Sequence, residues 1–123
     1  MLRFLFLLAI FICGAGQNSR AQQCVQPLEH GRASWYGSKF EGKKTANGEI
    51  FAASAFTAAH PSVPFGTYLK VENIKNGRSV LVKVNDRGRF APSRVIDLSE
   101  AAAREIGIRN KGIGNVVVYS CDP

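Results

Sequence analysis

The sequence predicts a small, mainly β closed barrel with one short helix. Three observations lead there. Short segments rich in β-branched and aromatic residues recur along the chain, each bounded by Gly, Asn or Pro. A single stretch carries helix signals, from the capping Ser99 to the stop at Gly107. A domain this small would leave costly edges if its sheet stayed open.

The chain begins with a basic Met1-Leu2-Arg3 and a continuous apolar run over residues 4–13. That run is too short for a membrane-spanning helix, which needs roughly 20 residues. Small and polar residues follow, with Ser19 and Ala21 at the positions a signal peptidase reads. Residues 1–21 are therefore expected to be a secretory signal peptide, cut after Ala21. Neither Cys13 nor Cys24 follows the small residues of a lipid-attachment site, so no stable membrane anchor is expected. Removing 21 of the 123 residues leaves 102, enough for one domain acting as a monomer. Residues 22–30 read as an N-terminal arm and residues 31–121 as the barrel domain.

Export makes the cysteines informative. Cys13 leaves with the signal, and Cys24 and Cys121 remain at the two ends of the domain. They are expected to form a disulfide, in a periplasmic or secreted protein. In the chain-entropy picture a loop of this length is worth roughly 4–5 kcal/mol. No Cys-x-x-Cys pair or Cys/His cluster points to redox or zinc chemistry, and no metal or organic cofactor is expected. The formal charge of +7 falls to +5 when Arg3 and Arg20 leave. Such a charge favours anionic partners or simply aids solubility. Nucleic acid is not expected as a partner, because no basic helix or nucleic-acid motif accompanies the charge.

The domain's elements follow in order. Residues 32–36 read as a strand between Gly31 and Gly37. Residues 38–47 are a polar, basic loop. Residues 52–59 are small and fit either a helical turn or a tightly packed strand. Pro61 and Pro64 stop any helix there. Residues 67–73 and 79–84 are strands joined at Lys75-Asn76-Gly77-Arg78, where Asn-Gly marks a hairpin. Residues 94–98 are a strand, a helix of about two turns follows Ser99, and residues 115–119 form the last strand.

One segment invites a chemical reading. Asn85-Asp86-Arg87-Gly88 leaves the strand at residues 79–84. Asn, Asp and Gly are usual turn formers, so the plain expectation is a turn. The other is a carboxylate mounted rigidly at a strand end, where it can aim acid–base chemistry at a substrate.

Five blocks extend the second reading: Gly31-Arg32-Ala33-Ser34-Trp35-Tyr36-Gly37, Thr45-Ala46-Asn47-Gly48-Glu49, Thr57-Ala58-Ala59-His60, Val84-Asn85-Asp86-Arg87-Gly88 and Val95-Ile96-Asp97-Leu98-Ser99. In this order they closely resemble rare lipoprotein A, the bacterial RlpA-like family, from about Gly31 to Tyr119. The resemblance implies a six-stranded double-psi β-barrel, a fold shared with expansins and barwin-like proteins. It implies an exported lytic transglycosylase that cleaves peptidoglycan glycan strands between N-acetylmuramic acid and N-acetylglucosamine and leaves a 1,6-anhydro end. It is to the short form, without the SPOR domain of longer members. Ala52 stands where members often carry an acid, and Arg89 where they often carry Pro.

By the same resemblance Asp86, Glu49 and His60 are the catalytic candidates. Asp86 is expected to be the acid–base, and Glu49 a partner carboxylate, substrate anchor or surface residue. His60 either bonds Asp86 or the sugar, or is structural. Asp97 is read as structural, bonding amides near the helix start. Trp35 and Tyr36 are candidate sugar-stacking residues, one facing a groove and the other the core, because strand neighbours point to opposite faces. Lys43, Lys44, Arg87 and Arg89 are either a cationic rim for wall carboxylates or a solvated face. The rival to an enzyme is a non-catalytic, expansin-like module that binds or loosens polysaccharide; a secreted inhibitor or virulence factor is a third option.

Overall fold

The computed structural model describes residues 23–88 and 91–121. The expected signal peptide and Arg89 lie outside the described residues. The elements are β1 (Gln26–Trp35), a 3-10 turn (Ser38–Phe40), β2 (Thr57–Ala59), β3 (Tyr68–Asn73), β4 (Ser79–Asp86), β5 (Arg94–Leu98), α1 (Glu100–Glu105) and β6 (Ile113–Ser120). The strands close in the order β1-β5-β2-β4-β3-β6. The β1·β5 and β2·β4 pairings are parallel. The other four are antiparallel. This is the expected mainly β, six-stranded double-psi barrel with one short helix.

Alternation builds the interior. Val80, Val82 and Val84 on β4 point inward, while Ser79 and Leu81 are exposed. Leu69 and Val71, Ile96 and Leu98, and Val116 and Val118 fill the same core. α1 lays Ala102 and Ala103 against it, followed by Ile106. Ser99 caps that helix as expected: its Oγ accepts the Ala102 N–H at 3.3 Å and donates to the Ala55 carbonyl at 2.6 Å. The β3–β4 hairpin turns at Gly77, whose φ of 75° suits glycine. The Asn73 Oδ1 fixes the turn by accepting the Lys75 N–H at 2.9 Å.

Most strand ends differ from the sequence reading by a residue or two, and three differences matter for the site. β1 starts at Gln26 rather than Arg32, because this segment pairs with β6 from Gln26↔Ser120 onward. Most of the supposed arm is thus barrel wall. In residues 52–59 only Thr57–Ala59 is strand, held between β4 and β5. β4 runs through Asp86, so Asn85 and Asp86 are strand residues rather than a turn.

Cys24 and Cys121 form a disulfide just beyond the last β1–β6 rung. It closes the ends of a barrel whose wall already joins them. Replacing both cysteines by Ser should cost about 4–5 kcal/mol if the unfolded chain gains its full loop freedom. Urea unfolding of the oxidised and double-Ser proteins measures this loss.

Candidate active site

The site begins with an irregular ladder. Along β2 and β4 the pairs are Thr57↔Lys83, Ala58↔Val84 and then Ala59↔Asp86. Asn85 is the extra residue. Regular alternation after Val80, Val82 and Val84 would turn residue 86 into the core. The bulge resets it, a common device for re-aiming a side chain. Ala59 also pairs with Asp97 of β5, and paired residues share a face. Asp97 sits between the buried Ile96 and Leu98 and therefore faces outward. Asp86, Ala59 and Asp97 form a row across three strands on the outer wall. Two strand spacings put the carboxylates' Cα atoms about 10 Å apart, with the small Ala59 between them.

Loop residues roof this row and leave a cavity of about 200 Å³. Tyr36, Phe40 and Phe51 supply its aromatic wall, and Lys43, Lys44 and Arg87 its cations. Tyr36 meets Phe51 at 4.9 Å between ring centroids and Phe40 edge-on at 5.8 Å. Its hydroxyl is buried near that of Thr57, and among the described residues neither makes a well-formed hydrogen bond. Burial first, then the charges of Asp86 and Asp97, push the Tyr36 phenol far above its ordinary range. It stays a neutral O–H donor.

The two carboxyls differ. The Asp86 Oδ1 accepts the backbone N–H groups of Ala46 and Arg87, each at 2.9 Å. Among the described residues, no hydrogen bond reaches Oδ2. Asp97 accepts the Ser34 hydroxyl at 2.8 Å. Burial holds its carboxyl above the ordinary value of 3.8, and the Asp86 charge adds to this against the opposing pull of Ser34 and Arg94.

Glu49 is close but separate. Its carboxylate binds Lys83 at 2.7 Å and the Asn85 amide at 3.0 Å, and does not line the cavity. Those partners hold its pKa below the ordinary carboxylate value, so Glu49 remains an anion. Ala52 does not line the cavity either.

His60 is buried, and both its ring nitrogens bond protein groups. Its Nδ1 accepts N–H from Ser62 and Val63, each at 3.1 Å, which leaves the proton on Nε2. Nε2 donates to Glu29 at 2.7 Å. Both ring nitrogens are thus engaged away from the Asp86 carboxyl; the main chain of His60 meets that of Asp86, at 3.2 Å. Trp35 is not in the cavity wall. It packs against the core, and its indole N–H donates to the Arg109 carbonyl at 3.1 Å. Tyr36 is the groove-facing member of the aromatic pair. Arg87 stacks over Phe65 at 4.1 Å and also reaches the His60 carbonyl.

Residues 28–118 match the family described as lytic transglycolase. The chain belongs to that family. This lytic transglycolase domain is 54% identical over 98 residues to the "Probable endolytic peptidoglycan transglycosylase RlpA" of Synechocystis sp., covering 80% of this chain and 30% of the relative. It is 46% identical over 101 residues to the "Endolytic peptidoglycan transglycosylase RlpA" of Neisseria meningitidis serogroup A, covering 82% of this chain and 42% of the relative. The domain therefore spans less than half of either protein. It is also similar to a mutant Clavibacter michiganensis expansin solved in complex with cellohexaose, with TM-score 0.60, 28% identity, and coverage of 76% of this chain and 50% of that one.

Asp97 is the site residue that the sequence reading of this lytic transglycolase domain misplaced. It faces the cavity opposite Asp86, and the helix cap is Ser99. The available signal was its alternation between Ile96 and Leu98. A consequence follows for stability. The folded chain holds the Asp97 proton more tightly than the unfolded chain, so stability falls as pH rises from the ordinary carboxylate value through the raised one. The substitution Asp97→Asn keeps an acceptor for Ser34 and removes that fall. Thermal melts should show the variant gaining on the native protein at neutral pH, and gaining least in acid.

Proposed function

We propose that this domain is an exported lytic transglycosylase acting as a monomer on peptidoglycan glycan strands. The observation that carries this reading is the outward row of Asp86, Ala59 and Asp97 beneath an aromatic roof. Two carboxyls across a small floor are suited to a glycosidic linkage lying between them. Relatives carry the names endolytic and probable endolytic peptidoglycan transglycosylase, and the disulfide fits an oxidising compartment outside the cytoplasm.

In the proposed reaction Asp86 donates a proton from Oδ2 to the oxygen leaving C1 of the N-acetylmuramic acid residue. The C1–O bond breaks with oxocarbenium character. The sugar's own C6 hydroxyl then bonds to C1 and gives its proton back to Asp86. The product is a 1,6-anhydro end, and the acid is restored without water. Oδ1 is held by two amides throughout, which fixes where Oδ2 points. Asp97, its carboxyl raised above the ordinary value mainly by burial, faces the linkage from the opposite side of the cavity. Glu49 stays ionised and serves as an anchor that holds Lys83 and the roof loop. Tyr36 offers its face to a pyranose and its hydroxyl as a donor. Lys43, Lys44 and Arg87 attract the anionic polymer.

Asp86→Asn should lower release of anhydro sugars from peptide-stripped sacculi by about 10²–10⁴-fold, the usual range for a general acid–base. Mass spectrometry of the soluble products, with a melting curve to confirm folding, provides the measurement. Undiminished product from a folded variant excludes Asp86 as the acid–base. Native protein that binds sacculi without releasing anhydro ends would support the non-catalytic module instead.

A further inference from the structure

A second concavity lies away from Asp86. Its volume is about 840 Å³, and its wall includes Arg32, Ile74, Lys75, Lys111, Ile113 and Asn115. Its hairpin side lies beyond the far end of β4: the strand covers eight residues from Ser79 to Asp86, roughly 23 Å along its axis.

The charges in this groove are of one sign. Arg32, Lys75 and Lys111 line it, and no Asp or Glu does so among the described residues. None of the three forms a salt bridge among those residues. Lys75 and Lys111 come from separate turns and face the same groove. The proximity and charge of Lys75 pull Lys111 below its ordinary value. Like charges held together favour an anion that bridges them.

The walls are also preorganised. Lys75 sits on the hairpin turn fixed by Asn73, and the Asn73 and Asn76 amides both donate to the Ile106 carbonyl, at 2.8 and 3.2 Å. Lys111 sits in a turn closed by the Gly112 N–H to the Ile108 carbonyl at 2.8 Å. The Ile74 N–H meets the Asn115 carbonyl at 3.1 Å and joins the two sides. Arg32 is on β1, opposite Asn115. Cations on rigid supports lose less freedom when they bind.

We propose that this groove is a second substrate-holding site, and that its ligand is a carboxylate of the wall polymer. The inference rests on the peptidoglycan reading above. That polymer offers carboxylates in two forms: the lactyl group of muramic acid on stripped strands, and the peptide stems on intact ones. A strand long enough to reach both ends of the barrel occupies this groove while another part meets Asp86. Ile74 and Ile113 supply apolar surface for the sugar rings, and the cations hold the acid groups.

The test compares native protein with Lys75→Ala/Lys111→Ala and Lys75→Arg/Lys111→Arg. Binding is measured by sedimentation with intact sacculi, peptide-stripped sacculi, and sacculi whose carboxyls have been amidated. Removing both lysines should weaken binding on the order of tenfold at low salt and flatten its salt dependence. The arginine pair should restore binding, and amidation should abolish the difference between native and alanine proteins. Preference for stripped over intact sacculi assigns the lactyl carboxylate; the reverse assigns the stems. Alanine variants that bind both unmodified sacculi as tightly as the native protein overturn the proposal. So does a lysine-dependent contribution that survives amidation, or one that inorganic phosphate abolishes while acetate at equal ionic strength does not. Release of anhydro ends from short soluble glycans should be unchanged by the alanine pair. Absence of such release from the native protein would count against the catalytic reading while leaving the carboxylate-dependent binding intact.

Discussion

One extra residue in β4 organises the site. Asn85 breaks the ladder with β2 and brings Asp86 out of the core sequence set by Val80, Val82 and Val84. Its carbonyl accepts the Asn47 N–H at 3.2 Å, and its amide holds Glu49 at 3.0 Å. The same main-chain irregularity therefore aims the carboxylate and docks the loop that roofs it. A rotamer change could not do this, because rotation about a side chain does not move a residue to the other face of its strand.

The groove then divides its polar groups by surroundings. Backbone amides fix one oxygen of Asp86, whereas Asp97 is shaped mainly by loss of solvent. Glu49 meets Lys83 and remains charged nearby. Tyr36 keeps its proton because its hydroxyl is buried beside two acids. Like carboxyl groups thus acquire unlike roles from their neighbours.

Much of the barrel was legible because its signals were local. Asn76-Gly77 marked the hairpin, and Ser99 and Gly107 bracketed the helix. The family blocks drew attention to Asp86 and Tyr36. The missed features depend on distant partners. The first half of β1 contains Pro27 and lacks a clear strand signal, but β6 supplies its ladder. β2 is too short for periodicity to show, and its place comes from β4 and β5. The orientation of His60 depends on Glu29, far back in the chain. Alternation between Ile96 and Leu98 could turn Asp97 outward, but only its register with Ala59 shows that it shares a row with Asp86.

The pairing of the first and last strands has a consequence for molecular architecture. Gln26 and Ser120 are neighbours across one ladder, with the cystine bond just outside them. Entry and exit therefore share a single gateway on the barrel surface. A domain of this form can be spliced into a larger polypeptide as a self-contained cassette, because flanking sequence need not be threaded around it.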